Sequence, residues 1–324
     1  MLILEDLSAE VVDTNAYHWN LKDLSALSAD TVLTYGYNAS SNQDFHKQYS
    51  DFKRKIFFNN WAPCEFAQSK DHNNKTALDY DAFYDEIYSI CPYSCEWLNN
   101  LNLGRDYKPI FYPFNKKIIP QQQSKIYDVI YHGGIHGIEH LNCLFVMSTF
   151  NYRYATMTHS INSQTMQCLP YATNTNLKFQ EKINLIAQTK ISICYNFVHV
   201  LPQHIPIIES QPNWKQNKAF SEVGKWNIMP QFKTRAHEAA ISRTLNLVQR
   251  DPWNIMEDYY EPEKEFLYFN NEVDLREKIK DIVDNWDSYQ EIVENAYKKA
   301  MHYTTDKFVD IIKAGKGWSY RNEL

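Results

Sequence analysis

The feature that most restricts this chain is an alternation, run through twice, of short apolar stretches with segments of helical period. In the first third the apolar runs are MLILE (1–5), TVLTYGY (31–37), KIFFNNW (55–61), EIYSIC (86–91) and PIFYPF (109–114), with helix candidates at 17–27, 79–85 and 94–102 between them. Runs that are apolar on both sides fit strands covered on both faces, and their alternation with helices is that of parallel βαβ units. The polar stretch NKKIIPQQQSK (115–125) interrupts the pattern and reads as a linker. The alternation then resumes with YDVIYHGG (127–134), a helix at 138–149, YRYATMT (152–158), LKFQEKINLIAQT (177–189), KISICYNF (190–197), LNLVQRD (245–251) and EFLYF (265–269). From Asp274 to Ile312 apolar residues recur at three- and four-residue steps, as in Leu275, Ile279, Ile282 and Val283, which predicts an almost wholly helical end. The expected fold class is therefore α/β, with one domain over 1–115, a linker over 116–126, a second domain over 127–300 and a helical tail over 301–324.

Composition narrows the function classes. A chain of 324 residues fits about two domains of roughly 150 each, and 44% hydrophobic with 22% charged residues is the balance of a globular protein. The formal charge of -6 argues against a nucleic-acid partner, which needs a basic face. No apolar run approaches the ~18 residues of a transmembrane helix, which leaves at most peripheral contact with a membrane. MLILEDLSAE reaches Glu5 and Asp6 too early for a signal peptide. The six cysteines form no C-x-x-C pair and several sit in apolar runs, so they read as buried thiols. A cytoplasmic location is expected. Tyr, Trp and Phe make up 15% of the chain, which serves either a core or stacking platforms for sugars and nucleotides.

Several stretches carry chemistry. In YDVIYHGGIHGIEH (127–140) a strand runs through Gly133 and Gly134 into a helix, either a tight turn or a cradle where backbone N–H groups meet an anion. Its spacing matches neither the dinucleotide nor the P-loop fingerprint. His136 and His140, four apart, have the spacing of a metal pair but no third ligand. Asn196 and His199 follow a buried strand, where ligands of parallel sheets bind and where strand ends are also capped. In KTRAHEAAISRTLNLVQRDPWN (233–254), Lys233 and Arg235 stand at a helix start, against the helix dipole, and Glu238 follows one turn later. They form either a surface ion pair or a grip on an anion beside a hydroxyl-bearing group. Asn59, Asn60, Trp61 and Glu65 of FFNNWAPCEF (57–66) suit a hydroxyl-rich ligand or an ordinary Asx turn. PYSCEWLNN (92–100) reads as a structural helix start.

The order of these segments, through EKINLIAQTKISICYN, KTRAHEAA, EPEKEFLYFNNEVDLREKI and the terminal ENAYKKAMHYTTDKFVDII, resembles GT-B glycosyltransferases, especially the C-terminal domain of the CgeB-like type. The likeness spans residues 85 to 312 and is strongest from 177 onward. It implies two Rossmann-like domains facing across a cleft, with an acceptor in the N-terminal domain and a nucleotide-sugar donor in the C-terminal one. It also implies a last helix that crosses back to the N-terminal domain, and no metal. By position, Glu238 matches the acidic residue on the donor ribose, Lys233 and Arg235 lie where diphosphate contacts are expected, and Gly133 and Gly134 match the phosphate loop. His136 and Asn196 join this donor set, while Asn59, Asn60 and Trp61 fall on the acceptor side.

The reaction so implied moves a sugar from a UDP- or GDP-type nucleotide sugar, a co-substrate rather than a bound cofactor, to a hydroxyl of a glycan or glycoconjugate. Lys233 and Arg235 would stabilise the leaving diphosphate. Retaining members of the wider group often carry a second Glu eight positions before the first, and here that position is Pro230. An inverting reaction needs a base, for which Glu65, His72 and His18 are candidates. A catalytically inactive binding module and a nucleotide-sugar epimerase of similar fold are the alternatives.

Overall fold

A computed structural model describes residues 2–4, 27, 30–36, 51–59, 82–158, 163–200, 202, 205–210 and 227–319. In chain order its first elements are β1 (Leu2–Leu4), β2 (Thr31–Gly36), β3 (Arg54–Asn59), β4 (Glu86–Ser89), α1 (Pro92–Asn100) and β5 (Tyr107–Pro109). Next come β6 (Tyr127–His132), α2 (Ile138–Met147), β7 (Tyr152–Thr156), α3 (Ser163–Cys168), β8 (Asn174–Thr175), α4 (Phe179–Ala187) and β9 (Thr189–Cys194). They are followed by β10 (Phe197–His199), α5 (Ile205–Glu209), β11 (Ile228–Pro230), α6 (Arg235–Ile241), β12 (Leu245–Gln249) and β13 (Leu267–Phe269). The chain closes with α7 (Glu272–Asp284), α8 (Gln290–Ala300) and α9 (Thr305–Ala314). Two compact units result: Met1–Asn115 with Phe197–Phe232 and Tyr303–Leu324, and Lys116–Asn196 with Lys233–His302.

The first unit holds a parallel sheet in the order β1-β2-β3-β4-β5. Its strands are apolar on both faces because both are covered: Val32, Leu33, Ile56, Phe57, Phe58, Ile87 and Tyr88 are all buried. Helix α1 starts at Pro92, whose missing N–H costs nothing in the first turn, and buries Cys95, Trp97 and Leu98. The 197–232 stretch, which the sequence division gave to the second domain, belongs with this unit. The reason is its apolar residues: Val200, Ile208 and Met229 pack into the same core as Phe57, Tyr84, Ile87 and Trp97. The helix expected at 79–85 is a turn over its described part, 82–85. Asp85 is tied to β3 instead, with its N–H on the Lys55 carbonyl at 2.9 Å and its carboxylate accepting the Lys55 N–H at 2.7 Å. The run 109–114 contributes one strand residue, Pro109, before leaving the sheet. The helix expected at 17–27 lies outside the described residues except for Leu27.

Helix α9 docks on this unit through both polar and apolar contacts. The Phe308 ring meets Phe58 edge-on at 5.3 Å, and Thr305 N–H donates to the Phe114 carbonyl at 3.1 Å. At its C-terminus, where carbonyls have no helical partner, Arg54 donates to Ile312 O at 2.6 Å and Lys108 to Gly315 O at 2.8 Å. Glu86, which accepts from Arg54 at 2.5 Å and lies 3.4 Å from Lys108, neutralises both cations.

The second unit holds six parallel strands in the order β13-β12-β9-β6-β7-β8. Counted along the chain, that is the doubly wound Rossmann order, with its reversal between β6 and β9, and ligands of such sheets bind beyond the strand ends at that point. The five strands of the first unit's parallel sheet run in plain sequence, without a reversal, and β10 and β11 pair separately as an antiparallel ribbon. Ile130, Ala155, Ile183, Ile186 and Ala239 form a core between sheet and helices. The 116–126 segment counts with this unit rather than spanning a gap. Lys125 anchors it, donating to Ala187 O at 2.8 Å and Thr244 Oγ1 at 3.1 Å, and burial pushes its ammonium down to about 7. The helical end forms as α7, α8 and α9, separated by the short turns Trp286–Tyr289 and Met301–Tyr303. The described cysteines, 91, 95, 143, 168 and 194, are free thiols and buried. Among the described residues no helix is long and apolar enough to cross a membrane.

Candidate functional site

At the carboxyl end of β6 the second unit opens a cavity of about 360 Å³. The strand delivers Tyr131 and His132 into the interior, and Gly133 turns the chain with φ +140, a conformation side chains rarely adopt. A Cβ at Gly133 would also lie 2.3 Å from Arg235 Nη2 and so displace the guanidinium. Gly134 is crowded only by the movable ring of His136. Gly137, again with positive φ, opens α2.

Arg235, the first residue of α6, reaches over this turn with its guanidinium carbon 4.9 Å from the Tyr131 ring centre. Among the described residues no carboxylate comes within ion-pair distance of Arg235. Glu238, one turn on and 6% exposed, points into the same cavity but engages other groups. Its Oε1 accepts from Lys182 Nζ of α4 at 2.8 Å, and its Oε2, buried and without a hydrogen-bond partner, lies in contact with His132 Nδ1 at 3.2 Å. Burial alone would raise the Glu238 carboxyl. The Lys182 ammonium and the His132 ring outweigh burial and hold it well below the usual carboxylate range, so it is ionised at neutral pH. His132 goes the other way: burial pushes it down to about 4 against the pull of Glu238, so it is neutral. The cavity therefore carries two cations, one anion and a neutral imidazole. Ala155, Thr156 and Met157 at the end of β7, with Leu177, complete its wall.

Of the residues singled out in the sequence, Gly133, Gly134, His136, Arg235 and Glu238 are brought together here. Two others are not. Asn196 is 0% exposed and spends its amide internally: Oδ1 accepts the Lys233 N–H at 3.0 Å, and Nδ2 lies 3.7 Å from Met256 Sδ. It fixes the chain entering α6 rather than facing the cavity, and Lys233 does not line the cavity either. Asn59 closes β3 opposite Ser89, while Asn60, Trp61, Glu65, His18 and His72 lie outside the described residues. His136 and His140 are not a metal pair in this geometry, because His140 Nδ1 accepts the His136 backbone N–H at 3.0 Å. Among the described residues no group of three or more His, Cys, Asp or Glu could hold a metal ion. Two residues of the site had no functional assignment in the sequence. Lys182 occupies a polar position of an amphipathic helix, with nothing to announce its distant partner, and His132 was legible only as a histidine before two glycines.

The class these features define is that of doubly wound α/β proteins with a polar, charge-lined pocket at the sheet's switch point. Residues 170–313 match the family model for glycosyl transferase-like proteins. No curated protein sequence matches the chain. Among solved structures, TarM superposes with a TM-score of 0.57 at 11% identity, over 91% of this chain and 57% of TarM. HepE of Anabaena in complex with UDP-glucose gives 0.59 at 10% identity, over 91% of this chain and 81% of HepE. Sucrose-phosphate synthase from Thermosynechococcus elongatus gives 0.56 at 10% identity, over 91% and 75%. The chain thus spans little more than half the length of TarM. At such identities the likeness establishes the fold, which is that of GT-B glycosyltransferases.

Proposed function

We propose that the chain is a glycosyltransferase that takes a sugar from a nucleoside-diphosphate sugar, of UDP or GDP type, and passes it to a hydroxyl of a glycan or glycoconjugate. The observation that carries this reading is the Arg235 guanidinium. It is held against a glycine turn, faces a cavity and has no carboxylate partner among the described residues, while an ionised Glu238 stands one turn away in the same cavity. A guanidinium forks onto phosphate oxygens and a carboxylate accepts from ribose hydroxyls, so the two together suit a nucleoside diphosphate. Bond breaking places charge on the diphosphate, and Arg235 with the Gly133–Gly134 backbone would stabilise it without a metal. The family match over 170–313 and the UDP or UDP-glucose named with HepE support the donor class. The CgeB-like subtype and a cytoplasmic site of action, with at most peripheral contact with a membrane, belong to the same reading.

Thermal unfolding against a panel of nucleotide sugars tests it, since a bound donor raises the midpoint with the logarithm of its concentration. The preferred nucleotide then serves for Arg235→Ala, for which donor affinity is expected to fall roughly tenfold or more. Unchanged affinity would remove Arg235 from the donor site. A second reading, a nucleotide-binding module without catalysis, is favoured by Pro230, which stands where a second carboxylate would be and is buried in β11. Slow hydrolysis of the bound nucleotide sugar separates the two, and release of an altered sugar without acceptor would identify an epimerase.

A further inference from the structure

His132 is the last residue of β6, directly before the Gly133 turn, and is 3% exposed. Its ring bridges two elements, with Nε2 3.1 Å from Ser192 Oγ on β9 and Nδ1 3.2 Å from Glu238 Oε2 on α6. The Nδ1–Oε2 approach is a close contact rather than a hydrogen bond of good geometry, and since an ionised carboxylate repels a lone pair, the proton on that side of the ring is assigned to Nδ1. A neutral imidazole has a single N–H, which leaves Nε2 as acceptor and makes the Ser192 hydroxyl the donor. Ser192 is 0% exposed, so no water competes for that role. The chain Ser192 to His132 to Glu238 therefore runs in one direction only.

We propose that His132, backed by Ser192, is the positioning residue that aims the Glu238 carboxylate at the vicinal hydroxyls of a ribose. This rests on the donor-site reading above. Glu238 is pulled from one side by Lys182, 2.8 Å from Oε1. Without an N–H on the other side, the carboxylate turns both oxygens toward the ammonium and has less accepting capacity left for a ligand. His132 opposes that rotation while adding no charge, so the carboxylate stays a full anion. Because His132 and Gly133 are consecutive, one strand end sets both the ribose-facing acid and the turn beneath Arg235. The distance between hydroxyl and phosphate recognition is then built into β6.

The test is the affinity of UDP against 2′-deoxy-UDP, with the guanosine pair run alongside, by calorimetry on the wild type and on His132→Leu, His132→Asn and Ser192→Ala. The wild type is expected to prefer the ribonucleotide roughly tenfold, as for a hydrogen bond to a charged group. His132→Leu brings that preference to within about twofold. His132→Asn restores most of it, because an amide N–H can stand where Nδ1–H stood, and Ser192→Ala falls between. A merely structural role would weaken both nucleotides equally and leave the ratio alone. Should the Leu variant fail to fold, Ser192→Ala and His132→Asn carry the comparison. An unchanged ratio in the Leu and Ala variants, with UDP still bound, overturns the role of His132 alone. Failure of the wild type to bind either ribonucleotide overturns the donor reading as well.

Discussion

Asp251 offers the sharpest test of how the second unit handles buried charge. It lies just beyond β12, is 4% exposed, and its Oδ1 accepts from the N–H groups of Trp253 at 2.9 Å and Ile255 at 3.3 Å. Its Oδ2 is buried without a hydrogen-bond partner. Burial, assisted by the charge of Asp258 and opposed by the turn N–H groups, pushes the carboxyl from 3.8 up to about 7. The sign follows from which state binds the proton first. The folded chain takes it up as pH falls through 7, the unfolded chain only near 3.8, so this group adds stability as pH falls between those values. Each pH unit in that window is worth about 1.4 kcal/mol, so from pH 8 to pH 5 the gain is roughly 2.7 kcal/mol. Asp251→Asn keeps the Oδ1 acceptor and abolishes the titration. Urea unfolding of both proteins at pH 8, 6.5 and 5 is expected to show wild type gaining those roughly 2.7 kcal/mol on the Asn variant as the medium is acidified. A difference constant to within about 0.5 kcal/mol across that range would mean that Asp251 titrates alike in both states, and that its burial is relieved by water.

Three further outcomes follow from named contacts. Gly133→Ala forces a Cβ to 2.3 Å from Arg235 Nη2 at φ +140, so we expect roughly 1–3 kcal/mol of destabilisation with at least tenfold weaker nucleotide binding. Gly134→Ala, opposed only by the His136 ring, is expected to be milder, and equal nucleotide affinities in calorimetry would contradict the assignment. Glu86→Ala leaves the half-buried Arg54 and Lys108 without their carboxylate and is expected to cost about 1–3 kcal/mol, with faster hydrogen exchange at the α9 C-terminus. Unaltered exchange there would show that the two cations hold α9 without Glu86. His237, which burial pushes down to about 3 while Glu238 pulls the other way, behaves oppositely to Asp251. The unfolded chain protonates it first near 6.5, so its stability contribution is lost as pH falls toward 3, and His237→Asn is expected to flatten the stability slope between pH 6 and 4 by up to about 1.4 kcal/mol per unit. A slope identical to wild type in urea unfolding would exclude it.

Strand positions were the most legible part of the fold. TVLTYGY and YDVIYHGG each contain the observed strand, and KIFFNNW all of it but Arg54, because a strand buried on both faces leaves an unbroken apolar run. The ends were less so: PIFYPF is as apolar as any strand, yet the strand ends at Pro109, and beyond it Phe114 pairs only as an isolated bridge with the distant Thr304. Unit membership could not be read along the chain at all. Val200, Ile208 and Met229 carry no mark of which core they will enter, since burial is decided by residues far away in sequence. The site shows the same division. Gly133 and Gly134 stood out because glycines at a strand-to-helix turn let the backbone approach a ligand, and Arg235 because a cation opposes the dipole of the helix it begins. Lys182 did not, because it meets Glu238 across 56 residues.

That long-range contact decides between the two sequence readings of Arg235 and Glu238. Spacing alone permits them to be a pair on a wet helix face, each neutralising the other. Instead Glu238 is buried, and a buried carboxylate needs compensation close at hand. Lys182 provides it at 2.8 Å and the uncharged His132 ring lies 3.2 Å from the other oxygen, so the acid has its counter-charge without Arg235. The guanidinium is then a surplus positive charge at the cavity wall, held on Tyr131 and over a glycine that has no side chain to shield it. A chain with a formal charge of -6 has acid residues enough to pair this arginine, yet none of the described ones does so. We read this uncompensated charge at the switch point of a doubly wound sheet as one that a ligand neutralises. A nucleoside diphosphate, with phosphate oxygens for the guanidinium and ribose hydroxyls for the carboxylate, meets both demands at once.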